Sequence, residues 1–189
     1  YAIAHRVIHQ APRRAAGHRH DVDVRVSVVV RGKRQHGAVR REAGEADHRR
    51  SPVNLSEELK PGLTGSAEIV VGTRDTAPHV GSGKIGVLAT PIMVNLMEAA
   101  ALQAVERFMP PGHQTVGTHL DVKHFAATPV GLRVRAHAEL VKVEGRTLTL
   151  RIHAEDERER IGEGVHERLI INVERFDLRM QKKLGKRES

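Results

Sequence analysis

Cysteine and tryptophan are absent from this chain of 189 residues, and aromatic residues make up only 2% of it, as three Phe and one Tyr. Without cysteine there is no disulfide framework, no thiolate nucleophile and no zinc-thiolate site, and a reducing, cytoplasmic setting is the expectation. No apolar run approaches the roughly 18 residues of a membrane-spanning helix, so the sequence offers no membrane span. Leu, Phe, Met and Trp are all missing from residues 1–54, which leaves that stretch little with which to build a core.

Charge is distributed as unevenly as hydrophobicity. The formal net charge is +8. Residues 1–54 hold 12 Lys+Arg against 5 Asp+Glu, leaving 19 basic and 18 acidic residues for the rest of the chain. The basic pI therefore describes the first segment and not the part that folds. A single-stranded nucleic-acid binder would interleave aromatic rings with its basic residues, and here Tyr1 stands alone, so nucleic-acid binding is disfavoured. Residues 1–54 read as a basic, disordered extension. Their composition is also that of GC-rich upstream DNA translated as coding, and the natural start would then be a non-Met codon such as one at Val53 or Leu55, or lie upstream. A secretory signal would need a longer apolar region, and a transit peptide would be poorer in acids than Glu42, Glu45 and Asp47 make this segment.

The remainder, residues 55–189, reads as one domain of α+β class. Leu63–Val71 is a first strand, and a Gly-rich connection from Thr73 to Leu88 leads into a long helix from Thr90 to Phe108. Thr90 suits the N-cap and Pro91 the first helical position, and Pro110-Pro111-Gly112 stops the helix. The connection suits a plain linker or a lid over the helix N-terminus. Next come a strand from Thr115 to His124, a strongly alternating strand from Leu132, a hairpin at Glu144-Gly145-Arg146, a strand from Leu148, and a last strand from Arg160 or Ile161 to about Phe176, beyond which the tail frays. Four strands following one helix predict an antiparallel sheet with one face covered by that helix.

Glu98 is the misplaced residue in this helix, a carboxylate whose helical neighbours Val94, Ala101 and Leu102 are apolar, which predicts a buried acid. Strict alternation puts His124 on the apolar face of its strand with Val116, Thr118, Leu120 and Val122. Thr90, Glu98 and His124 supply a hydroxyl, a carboxylate and an imidazole. By themselves they admit a purely structural account too, with Thr90 as a cap, Glu98 as a salt-bridged core acid and His124 as a satisfied core histidine.

Ala89-Thr90-Pro91 through Glu98-Ala99, Gly117-Thr118 through His124, Ala127-Thr128-Pro129 and Gly131-Leu132 together resemble hotdog-fold acyl-CoA thioesterases of the fluoroacetyl-CoA type. Eight residues separate Thr from Glu, and seven separate Gly from His. Gly164-Val165-His166-Glu167-Arg168 fits the same pattern, and the similarity spans roughly Leu63 to Lys183. The resemblance implies an antiparallel sheet wrapped around one long central helix, a homodimer, and hydrolysis of a small or medium acyl-CoA to free acid and CoA. It implies a Thr90, Glu98 and His124 catalytic set, with Gly117 and Arg168 contacting or supporting the bound thioester, and no metal or further cofactor. Alternation places Arg168 on the face opposite Val165, Leu169 and Ile171, unless a bulge near Gly164 reorients it. The fluoroacetyl-specific enzymes carry a bulky aromatic lid ahead of the Thr, and Lys84-Ile85-Gly86-Val87-Leu88 has none, so a broader acyl range is expected. A non-catalytic acyl-CoA-binding protein and a hotdog hydratase or dehydratase are the competing readings.

Overall fold

The computed structural model describes residues 57–185, so the basic segment 1–54 lies outside the described residues. The order is β1 (Thr64–Val70), a 3-10 turn (Thr73–Asp75), α1 (Ala77–Val80), α2 (Thr90–Val105) with a 3-10 extension (Glu106–Phe108), β2 (His113–His124), β3 (Arg133–Glu144), β4 (Thr147–Asp156), β5 (Arg160–Asn172) and α3 (Val173–Gly185). The five strands form one sheet in the order β1-β3-β4-β5-β2, and every pairing is antiparallel. No helix among the described residues is long and apolar enough to cross a membrane.

The core follows from alternation on the central strands. Leu140, Leu148, Leu150 and Ile152 are fully buried on the inner face, and the tight turn joining β3 to β4 relies on Gly145 at φ +58°. Against this face α2 buries Met93, Leu96, Met97, Ala100, Ala101, Ala104 and Val105. Its alanines let the helix lie close to β1, where Gly65 faces it. A Cβ there would overlap the Ala100 carbonyl and the Ala104 amide, so glycine is a packing requirement.

Several expectations need correction. Ala89, not Thr90, is the N-cap, and Thr90 occupies the first helical position with Pro91 beside it. Glu98 is not a buried acid, because 39% of its side chain is exposed. The last strand ends at Asn172, and the expected fraying tail continues as α3 through Gly185. The Gly-rich connection is pinned at both ends by bridges pairing Thr76 with Leu88 and Val87 with Pro129, leaving an exposed tip from Pro78 to Gly86.

The expected bulge exists on β5 at Ile161, three residues ahead of Gly164, where Ala154 pairs with Gly162 and Glu155 with Arg160, and a second one interrupts β2. The β2–β5 register shifts between Gly117 and His119, where Thr118 is the extra residue and its hydroxyl donates to the Glu167 carbonyl at 3.2 Å. Gly117 and His124 are an odd number of residues apart and would face opposite sides of a regular strand. With the bulge, Thr115 and Gly117 share the inner face with Leu120, Val122 and His124. On β5 the inner face is His166, Arg168 and Ile170, all buried, while Val165 is 42% exposed. The apolar-face reading of β5 is therefore reversed.

Candidate active site

Thr90 and His124 meet where α2 begins. With Ala89 as cap, the Thr90 hydroxyl does not close its own helix and lies 2.9 Å from His124 Nδ1. His124 ends β2, and its imidazole pKa is pushed below the ordinary 6.5 by burial, with the Ala126 carbonyl acting in the opposite sense. Its Nε2 is buried without a hydrogen-bond partner among the described residues. An orphaned polar atom of this kind costs about 1–3 kcal/mol unless something outside the protomer satisfies it.

Glu98 belongs to a second cluster. Eight residues of helix separate it from Thr90, or about 12 Å along the axis at the usual rise. Its Oε1 lies over Gly117, where a Cβ would come within 2.7 Å of it and 3.0 Å of His166 Cε1. His166 Nε2 stands 3.8 Å from the same oxygen. This is not an ion pair, because His166 is neutral in this setting. Its Nδ1 sits 2.9 Å from the His119 carbonyl, an acceptor, and so carries the proton, while Nε2 accepts from Arg168 Nη1 at 3.1 Å. Burial, followed by the Arg168 and His119 charges, holds the His166 pKa below 6.5, against the pull of the His119 carbonyl and Glu98.

Arg168 is 6% exposed. Its Nε donates to Thr115 Oγ1 at 2.9 Å and its Nη2 to the Thr115 carbonyl at 3.2 Å. Burial lowers its pKa and the nearby Glu98 carboxylate raises it. The structure thus joins Thr90 to His124, and separately joins Glu98, Gly117 and Arg168, but it does not bring the two groups together within one protomer. His166 and Thr115 were not singled out from the sequence. The odd spacing between Gly117 and His124 was the available signal, since two inward residues at that spacing demand a bulge.

A different cluster lies on the outer face of the sheet. His137 and His153 pair across β3 and β4, their rings stack at 4.9 Å, and with Glu155 their donor atoms lie within 4.8 Å of one another. Among the described residues this is the one group with metal-ligand spacing. Burial and then the Arg160 charge depress the His153 pKa. That cationic field opposes a dication, and His137 already contacts Glu155 at 3.3 Å.

A family model described as fluoroacetyl-CoA-specific thioesterase matches residues 71–174. The fluoroacetyl-CoA thioesterase of Streptantibioticus cattleyicolor is 45% identical over 97 residues, covering 51% of this chain and 70% of that protein. A solved fluoroacetyl-CoA thioesterase superposes with a TM-score of 0.63 at 37% identity, covering 66% of this chain and 97% of the other. A hot-dog-like protein from Thermanaerovibrio acidaminovorans shares the fold, with a TM-score of 0.61 at 21% identity over 65% of this chain and 91% of that one. The curled antiparallel sheet and long central helix are therefore those of a hotdog fold, and the chain belongs to the fluoroacetyl-CoA-specific thioesterase family.

Proposed function

We propose that this protein hydrolyses acyl-CoA thioesters to a free acid and CoA, with Thr90, Glu98 and His124 as its catalytic set. The observation that carries the reading is the Thr90–His124 contact at the positive end of α2, beside a histidine nitrogen that has no partner among the described residues. That end of the helix favours negative charge, so the Thr90 hydroxyl suits the oxygen that becomes anionic when the thioester carbonyl is attacked. Glu98 serves as base or nucleophile. As base it takes a proton from water, and the resulting hydroxide adds to the carbonyl. As nucleophile it adds directly, expelling the CoA thiolate and leaving an anhydride for water to open. In both routes the thiolate takes a proton and leaves as thiol, and His124 relays protons or orients water. Single turnover in oxygen-18 water that leaves label in the Glu98 carboxylate establishes attack by Glu98, with water opening the anhydride at the glutamyl carbonyl.

The separation of the two clusters supports a homodimer, in which Thr90 and His124 of one protomer would face Glu98, Gly117 and Arg168 of its twofold mate. β2 is a 12-residue edge strand, long enough to invite such pairing. The acyl range is proposed to be small to medium, since the exposed tip ahead of Thr90 carries Lys84 and Ile85 and no Phe, Tyr or Trp. A cytoplasmic site of action and dispensability of residues 1–52 complete the proposal. The test is thiol release from a panel of acyl-CoAs, fluoroacetyl-CoA included, by the full chain and by a chain beginning at Val53. Turnover of several acyl groups by both supports the reading. Release from no member overturns it in favour of a non-catalytic binder, and loss confined to the shorter chain overturns dispensability.

A further inference from the structure

We propose that His166 is a positioning residue that keeps Arg168 beside Glu98 without letting the two form a direct ion pair. The inference rests on the thioesterase reading for its kinetic consequences and on geometry for everything else. His166 is fully buried in the middle of β5, and each ring nitrogen has one partner of fixed polarity. Nδ1 faces a carbonyl and must donate, and Nε2 faces a guanidinium and must accept, so only the neutral Nδ1–H tautomer fits.

The two contacts do different work. The Nδ1–H bond reaches the His119 carbonyl, at the residue where the β2–β5 register resumes after the bulge. It thereby fixes the bulge that turns Gly117 and His124 to one face. The Nε2 bond holds Arg168 Nη1, while Thr115 holds Nε and Nη2. With these three donors engaged, the guanidinium acts on Glu98 through space. If Nη1 were released, the fork geometry of arginine would favour a direct pairing with the carboxylate. Glu98 would then be tied to a fixed cation, a poorer base and a poorer nucleophile.

Two substitutions separate the two contacts. Asparagine presents its amide N–H near the Nδ1 position, so His166→Asn keeps the bond to His119 and loses the acceptor for Arg168. Glutamine reaches the Nε2 position, so His166→Gln restores that acceptor. In the full chain, His166→Asn is expected to stay folded with kcat lowered at least about tenfold and KM changed less than about threefold, and His166→Gln, which restores the acceptor for Arg168 but not the bond to His119, to recover part of kcat. In an Arg168→Lys background the same asparagine change should alter kcat less than about twofold, because lysine has no fork to redirect. The wild-type acid limb should move in His166→Gln, since protonating His166 sets it against Arg168 and the His119 ring, with the His119 carbonyl and Glu98 in partial compensation; its β4 neighbour, Leu150, is uncharged.

Wild-type kcat in His166→Asn, or an equal loss in the Arg168→Lys background, overturns the proposal. A wild-type protein that releases no thiol overturns the thioesterase reading instead. In that event nitrogen-15 NMR of the imidazole still decides the geometry. A pyrrole-type Nδ1 and pyridine-type Nε2 support the arrangement, and the opposite tautomer, or a ring charged at neutral pH, overturns it.

Discussion

Glu98 separates chemistry from stability at the level of a single side chain. Because 39% of its surface is exposed and its cationic neighbour Arg168 is held by Thr115 and His166, its charge adds little to the fold. Glu98→Gln is expected to lower turnover at least about a hundredfold and to leave stability within about 1 kcal/mol. Turnover and the urea midpoint measured on one preparation test this, and a well-folded variant with normal turnover would remove Glu98 from the mechanism. Gly117→Ala should act on the same carboxylate by a different route. The new methyl would come 2.7 Å from Glu98 Oε1 and 3.0 Å from His166 Cε1. The glutamate can swing aside, but the imidazole is held at both nitrogens. The variant should therefore lose turnover sharply and about 1–3 kcal/mol of stability, typical of overpacking, as thiol release and chemical denaturation would show.

At the level of elements, the close approach of α2 to β1 leaves little tolerance. At Gly117 a tight spot can be eased by rotating Glu98, but at Gly65 the opposing atoms are the backbone of Ala100 and Ala104, which no side-chain rotation relieves. Gly65→Ala should push the helix off the strand and cost more than about 3 kcal/mol, read as a fall in Tm with loss of soluble yield. A melting curve like the wild type's would mean that the helix can slide, and that α2 does not set the spacing of the sheet. The β2 bulge is a second element-level device. One extra residue at Thr118 decides that Gly117 and His124 look inward together, and the Nδ1 bond of His166 secures it.

Two expectations concern the whole molecule. An unsatisfied buried nitrogen on His124, a divided set of site residues and a 12-residue edge strand all point to a homodimer. Sedimentation at micromolar concentration should give twice the chain mass, and an active monomer would show that one protomer assembles the site alone. The fold should also be sensitive to acid. The pKa values of His124, His153 and His166 all lie below 6.5 in the folded state, with burial as the first cause. Below about pH 6.5 the unfolded chain binds protons that the folded chain does not, so stability falls with pH until each folded-state pKa is reached. Each group adds at most about 1.4 kcal/mol per pH unit. The urea midpoint should drop between pH 7.5 and pH 5, and drop less in His166→Gln; equal drops would mean that His166 does not contribute.

The sequence by itself determined the elements and their partners in pattern. Period-two alternation from Leu132 to Ala154 fixed the β3–β4 hairpin, Pro91 and Pro110-Pro111-Gly112 bracketed the helix, and five strands around one helix left few arrangements. The spacing of Thr90, Glu98 and His124 pointed to a family, but it could not say that Thr90 meets His124 while Glu98 lies over Gly117 beside His166. Alternation also misassigned β5, because it reads Val165 as inward and His166 and Arg168 as outward. Only the tertiary structure reverses this. The bulge moves Thr115 and the His119 carbonyl into reach, and a buried arginine and histidine become tolerable once each polar atom has a partner contributed by another strand. Periodicity records the average preference of a face for water, whereas the price of burying a polar group depends on partners distant in the chain, and those exist only after the sheet has formed.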